Sequence, residues 1–557
     1  MKLAVFHYHL RPGGVTGVIT QGCIALGTSD ASPVDEVVLV TGSRENTESV
    51  SSRIAASAPE LGVSVRVHPE LRYVSDQDGV ASEELERRIA ALLEEEHLSA
   101  DVVWWVHNYH LGKNPPFSAA LLSLLEKHPE QRAILEIHDF PECARFENLV
   151  ALRAQITDCV YPLLPNVTYA TINYRDHALL VEAGLPAEAV VALPNPVPPP
   201  PGARAERAHQ EPSGAEAVAA EPRASELGAR LAEAFGGRFP SFDSGGRVFL
   251  YPVRAIRRKN VLEAGFLTKL YNGAAAVPAN LIVTLPGVSP LEKPYSELVR
   301  AAFEAGTVPG MMGIGAELEE AGLDFEGLIA ASDLIISTSV QEGFGFAFFE
   351  APIRGMPLCA RYLDVLDGFE GLFEGTGHLF YRELRVPFES PSIDSIRSLL
   401  RIRYEEHLER SAAEMPRAAR ERVEAEIESM LSEHTIDFSF LMPQMQYAYL
   451  KDVDDEVFAN EVRSINLEVV GTLVRTVEAE ERSGNEGGTR DAARTESAAS
   501  RITAELGYDR YAERLSRAID GLPRPTSGGA GAPIQRHLIE AFAHKDYFRL
   551  LYGPVGE

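Results

Sequence analysis

Val340-Gln341-Glu342-Gly343-Phe344-Gly345-Phe346-Ala347-Phe348-Phe349-Glu350 decides how this chain is read. It follows the apolar run Asp333-Leu334-Ile335-Ile336-Ser337-Thr338, which reads as a buried parallel strand. It leads into an apolar stretch over residues 346–354 that reads as a buried helix. A glycine-rich turn between strand and helix leaves backbone N–H groups free at the helix N-terminus, where the helix dipole also favours an anion. Two carboxylates bracket the turn, Glu342 before it and Glu350 inside the helix. Acidic groups beside an anion site suit hydroxyls, as on a sugar and a ribose. A tight turn with one solvated and one helical glutamate gives the same pattern. Spacing alone leaves both readings open.

Alternation of strand and helix extends to both sides. Residues 2–6, 36–40, 63–67, 101–106, 133–137 and 168–172 read as strands, and 18–26, 82–95 and 118–127 as helices between them. The pattern resumes with strands at 248–253, 281–285 and 311–314 and helices at 261–271 and 291–305. Such repetition predicts an α/β protein with doubly wound parallel sheets. At 557 residues the chain is too long for one core. The expected units are Rossmann-like domains at 1–195 and 247–392 and a helical extension at 393–557. Residues 196–246, rich in Pro, Ala, Glu, Gly and Arg, read as a linker or insertion with a short helix at 224–235. Within the extension, 393–433 reads as a charged helical pair, 483–500 as loose, and 501–519 and 534–551 as closing helices.

Composition narrows the partners. The chain has 52 basic and 81 acidic residues, a net of -29. That argues against nucleic acid or an anionic membrane surface as a general partner. The four cysteines, Cys23, Cys143, Cys159 and Cys359, are scattered. No disulfide framework is expected, and a reducing cytoplasm is the expected setting. The start turns polar at His7, and no apolar run is long enough to span a bilayer.

In doubly wound sheets, ligands bind beyond the carboxyl ends of the strands. Three such ends carry histidine: His7 and His9, His107 and His110, and His138. Imidazole suits zinc, but no i, i+4 pair or cysteine joins these residues, and no metal is expected. The Gly13-Gly14 turn after the first strand does not fit G-x-G-x-x-G. Arg254, Arg257, Arg258 and Lys259 put four cations within six residues. They form either a solvated basic loop or a grip for a diphosphate, since preorganised cations stabilise a departing phosphate. Asn260 is placed to cap the next helix. Asp452-Val453-Asp454 has the Asp-x-Asp spacing of a metal site but lies in an acidic, helical segment.

Glu-Gly-Phe-Gly, with a second Glu eight positions after the first, resembles the Glu-x7-Glu signature of retaining glycosyltransferases with the GT-B fold. That group includes glycogen synthases, sucrose synthases and bacterial mannosyl- and glucosyltransferases. The flanks Ala330-Ala331-Ser332-Asp333 and Gly355-Met356-Pro357-Leu358-Cys359-Ala360 are similar to the family's too. Pro352 departs from the pattern, standing where the family has a small helix former; a proline inside a helix costs about 3 kcal/mol unless the helix bends or starts late. The likeness covers roughly residues 1–195 and 247–380.

The resemblance implies two Rossmann-like domains across a cleft, the N-terminal one for acceptor and the C-terminal one for donor. Arg254 and Lys259 would grip the donor diphosphate. Glu342 would contact sugar hydroxyls and His138 the sugar from across the cleft. Gly14, Gly343, Phe344, Gly345 and Glu350 would bind the donor, Glu350 at the ribose. His107 and Asp139 would line the acceptor or back His138, and Glu142 reads equally as orienting that loop or as a solvated charge. The implied reaction moves a hexosyl group from a nucleotide sugar to an acceptor hydroxyl with retention, using no metal and no cofactor. Two alternatives stay open: a nucleotide-sugar epimerase of the same fold, and a non-catalytic nucleotide-sugar-binding subunit. No short motif encodes the base, the sugar, the acceptor or the oligomeric state.

Overall fold

A computed structural model describes residues 1–77, 80–96, 102–156, 159–199, 224–411, 413–485, 492–520 and 532–552. Residues 200–223 of the expected linker lie outside the described residues, but its helix is present at Ala224–Phe235.

The N-terminal strands are β1 (Lys2–His7), β2 (Glu36–Thr41), β3 (Gly62–Val67), β4 (Val102–His107), β5 (Ala133–Ile137), β6 (Val167–Thr171) and β7 (Val190–Ala192). They form one sheet in the order β3-β2-β1-β4-β5-β6-β7, with every pair parallel. The strands are apolar runs because helices cover both faces. In Val-Val-Trp-Trp-Val-His of β4, all six residues are buried. The second sheet joins β8 (Arg247–Arg254), β9 (Ala279–Leu285), β10 (Gly310–Met312), β11 (Leu334–Ser337), β12 (Leu358–Arg361) and β13 (His378–Tyr381). Its order is β10-β9-β8-β11-β12-β13, again all parallel.

Each order reverses direction once. The reversal lies between β1 and β4 in the first sheet and between β8 and β11 in the second. At such switch points the loops leave in opposite directions and open a crevice beyond the strand ends. The histidine-bearing ends of β1 and β4 therefore meet at one crevice. The basic loop after β8 and the glycine turn after β11 meet at the other.

The C-terminal third departs from the expected layout. Helices Ile396–Ser411 and Arg417–Ser432 form the expected pair and pack on the second core. A small antiparallel pair, β14 (Arg385–Pro387) with β15 (Thr435–Asp437), was not expected. Three- and four-residue strands are too short for hydrophobic periodicity to show. The stretch 501–519 is not one helix: Ala492–Leu506 and Tyr508–Asp520 are separated at Gly507. The break turns the chain onto the N-terminal sheet, where Tyr511 and Leu515 share a core with Val5, Ile19 and Trp105. Of 483–500, the described parts belong to helices Leu467–Asn485 and Ala492–Leu506, so the expectation of a loose segment fails there. The last helix ends at Phe542, with 3-10 turns at Lys545–Tyr547 and Leu550–Tyr552 instead of a continuation to 551.

Asp452 accepts from Ser390 and Ser392, and Asp454 pairs with Lys269 at 2.6 Å. The two carboxylates diverge into separate packing roles. Among the described residues, no helix is long and apolar enough to cross a membrane.

Candidate active site

The second crevice is built by backbone stitching between its two loops. Tyr251, near the end of β8, donates from its hydroxyl to the Lys259 carbonyl at 2.8 Å and shares a 2.8 Å bond with Ser339. Thr338 donates to the Lys259 and Asn260 carbonyls at 3.1 and 2.9 Å. The Val340 N–H donates to the Arg258 carbonyl at 2.9 Å. The basic loop is thereby pinned against the start of the glycine turn, and Lys259 donates from Nζ to Glu342 Oε1. Burial alone would push the Glu342 carboxyl up, but Lys259 and Arg258 outweigh it and hold the group below the usual carboxylate range. Burial also lowers the Lys259 ammonium, with Glu342 opposing and Arg258 and Arg254 adding to the shift. The pair is an ion pair with the glutamate ionised. Arg254 is more open, 3.7 Å from Glu292.

Asn260 does not cap its helix with its side chain. Its φ is 49°, in the left-handed region, and no cap bond forms. Its amide donates to Glu263 at 2.6 Å, and its Oδ1 accepts from Gln446 at 2.9 Å. A distant buried partner has taken the oxygen that a local cap would use.

In the turn itself, Gly345 has φ 80°, and a Cβ there would strike the Phe348 ring. The following helix, Phe346–Ile353, has no side-chain cap, and ahead of the Phe348 N–H, which donates to the Gly345 carbonyl at 3.0 Å, the Phe346 and Ala347 N–H groups stay available. Phe344 turns its side chain into the domain, stacked on Phe349 at 4.9 Å, leaving only its backbone for a ligand. Pro352 sits one residue from the helix end, and the chain exits through Gly355, whose N–H donates to the Pro352 carbonyl at 3.1 Å. Glu350 lines a small crevice with Pro252, Ile329 and Arg354. Burial raises its carboxyl, with Arg354 opposing. Among the described residues, no hydrogen bond or ion pair joins Glu350 to Lys259 or Arg254.

The N-terminal domain closes on this turn. A Cβ on Gly343 would lie 2.9 Å from the His138 carbonyl and 3.2 Å from Ile172. Asn173 donates to the Gly343 carbonyl at 2.8 Å. Gly343→Ala is expected to reduce kcat/KM by roughly 10- to 100-fold, because displacing this contact shifts the facing groups. Unchanged steady-state kinetics would show that the domains do not need to meet so closely.

His138 is held from three sides. Its N–H donates to Asn108 Oδ1 at 2.9 Å, and its Nε2 lies 2.9 Å from His107 Nδ1 and 3.2 Å from Glu136 Oε1. Trp105 Nε1 donates to the other Glu136 oxygen at 2.5 Å. Burial lowers His107 well below the usual range, His7 to about 3 and His110 to about 4, so these three rings are neutral. His107, Glu136 and His138 are the group among the described residues whose donor atoms could share a metal ion, all lying within 4.8 Å of one another. Asp139 is buried, which raises its carboxyl, but Arg145 at 3.2 Å and Arg258 hold it low. Gly14 opens the helix Gly14–Thr28 after β1, exposed and unobstructed. The residues not anticipated are Glu136, Asn173, Arg145 and Tyr251. Asn173 and Glu136 had a signal: one ends a run after β6, and the other precedes His138 by two on the same strand face.

Glu142 is buried rather than solvated and accepts from the Tyr161 hydroxyl at 3.0 Å. Burial raises its carboxyl from 4.5 to about 7. Between those values the folded protein holds a proton that the unfolded chain has released. Stability is therefore expected to fall as pH rises from about 4.5 through 7, by up to about 3 kcal/mol. Glu142→Gln should flatten this part of the urea-midpoint profile against pH. Profiles of equal slope would assign the titration elsewhere.

Two parallel-sheet Rossmann-like domains that meet across a cleft, with a cationic loop and a glycine turn at one switch point, define the GT-B class of glycosyltransferase. No protein-family model matches the chain. Over 470 residues it is 30% identical to mannosylglucosyl-3-phosphoglycerate synthase of Petrotoga mobilis (strain DSM 10674 / SJ95), covering 84% of each chain. The chain belongs to the GT-B glycosyltransferase superfamily as a homologue of that synthase, and it is a glycosyltransferase. Among solved structures it is similar to the lipopolysaccharide outer core galactosyltransferase WaaB, apo form (12% identity, 93% of this chain and 99% of that one, TM-score 0.44). It is also similar to the trehalose-6-phosphate structure from E. coli bound with UDP-2-fluoro glucose (11% identity, 94% and 100%, TM-score 0.44).

Proposed function

We propose that the chain moves a hexosyl group from a nucleotide-sugar donor to an acceptor hydroxyl, with retention and without a metal at the diphosphate. The observation that carries this reading is the Lys259–Glu342 pair at the second switch point, opposite His138. Arg254 and Lys259 stabilise charge on the departing diphosphate. The backbone from Gly343 to Gly345 offers N–H groups to the donor, Glu342 and His138 hold sugar hydroxyls, and Glu350 is assigned to the ribose. No side chain stands out as a nucleophile. The acceptor oxygen bonds to the anomeric carbon on the face that the diphosphate leaves, and the acceptor proton passes to the departing phosphate oxygen. The relative's name describes a product built on 3-phosphoglycerate. We assign this chain an acceptor of the same kind, a sugar that carries phosphoglycerate.

The test incubates the protein with UDP- and GDP-linked glucose and mannose and a glucosylated 3-phosphoglycerate, with and without EDTA. Product anomeric configuration is read by NMR. Retention that persists in EDTA supports the proposal. Inversion overturns the front-face route, and loss in EDTA overturns the metal independence.

A further inference from the structure

Between the domains, next to Gln341, lies a cavity of about 300 Å³. Arg145 lines it from the N-terminal side, and Arg257 and Arg258 line it from the C-terminal side, with Cys143 and Tyr547 completing the wall. Three guanidinium groups around one small cavity are unexpected in a chain at -29. Arg145 faces Asp139, whose charge Arg258 also draws on. Among the described residues, neither the Arg257 nor the Arg258 side chain makes a hydrogen bond or ion pair. The Arg257 Nε–H is buried with no acceptor, and a buried donor left unmatched is costly. Glu292 also borders the cavity, but it accepts from the Val288 and Ser289 N–H groups at 3.0 and 3.1 Å and faces Arg254. Lys113 extends the cationic surface. It lies over the Tyr73 ring at 5.8 Å, and burial together with Arg145 lowers its ammonium.

We propose that this cavity holds the phosphate of the acceptor, gripped by Arg257 and Arg145 with Arg258 at its edge. The proposal rests on the transferase reading and deepens it. Guanidinium forks from both domains can each bind two phosphate oxygens, so the phosphate bridges the cleft. The cavity adjoins Gln341, the residue before Glu342, so a group anchored there places an attached sugar beside the donor. Arg257 then finds the acceptor that its buried Nε–H lacks, and domain closure becomes coupled to the arrival of the correct acceptor.

The experiment measures binding of 3-phosphoglycerate, inorganic phosphate and glycerate by calorimetry, with a nucleoside diphosphate present in excess to fill the donor site. The proteins are the full chain, Arg257→Gln and Arg145→Gln. Phosphoglycerate and phosphate are expected to bind the unaltered chain and glycerate at least tenfold more weakly. Each substitution should weaken phosphoglycerate at least tenfold while the nucleotide still raises Tm, which also reports that the variants are folded. Glycerate binding as tight as phosphoglycerate, or phosphoglycerate binding that survives both substitutions, overturns the proposal. A full chain whose Tm ignores every nucleoside diphosphate overturns the donor-site reading instead.

Discussion

Lys259→Ala is expected to lower kcat/KM by on the order of 10³-fold, measured as nucleotide-sugar-dependent transfer. In the proposed reaction the ammonium meets the growing charge of the diphosphate, and it is preorganised: Tyr251 and Thr338 fix its backbone carbonyl, and Glu342 fixes its Nζ. Removing it also leaves Glu342 buried without its counter-charge, which costs about 3–5 kcal/mol when the partner of a buried pair is lost. Two effects are therefore mixed in the single variant. Lys259→Ala with Glu342→Gln separates them, because the neutral amide needs no cation. The double variant should regain most of the stability in urea unfolding and none of the activity. If activity returns with stability, the pair only braces the two loops.

The same pair shows what local sequence can carry. The positions of Glu342, Lys259 and Arg254 on loops at strand ends were legible because a strand end followed by glycine or by clustered cations is a local pattern. The fold then brings together loops that sequence order keeps about 80 residues apart, for a topological reason: β8 and β11 flank the switch point. His138 and His107 were legible for the same reason. Glu136 between them was not, because it reads as one more residue of an apolar strand until parity with His138 is considered. Asn260 was assigned to a cap because capping is a local rule. A glutamine 186 residues away overrides it. The helices after 490 carry no local sign that they return to the N-terminal core. Gly507 was the one available cue, and its meaning depends on what the chain turns toward. Glu350 lines a crevice whose walls include neither Lys259 nor Glu342.

The largest stability effect is expected at a cluster that no motif announced. Arg361, at the end of β12, is buried and forms bonds of 2.7 and 3.1 Å to Glu263 and of 2.8 and 2.9 Å to Asp437. Asp437 also accepts from the Leu384 N–H and the Ser439 hydroxyl, at 3.1 and 2.6 Å. Despite burial, Arg361 and these donors hold its carboxyl below the usual range, whereas burial raises Glu263 against the pull of Arg361. Arg361→Met leaves two buried carboxylates without the guanidinium that bonds both, with Arg549 acting on Asp437 alone. It should destabilise the C-terminal domain by about 3–5 kcal/mol and lower its Tm by roughly 10 °C. Replacing Glu263 and Asp437 by leucine in the same variant should recover much of that loss, since an apolar core can substitute for a buried ion cluster. Activity should not recover with it. Glu263 accepts from the Asn260 amide, and Asn260 follows Lys259, so the cluster also fixes the backbone that aims the ammonium. Full activity in the apolar triple variant would show that Tyr251 and Thr338 alone suffice to hold the basic loop.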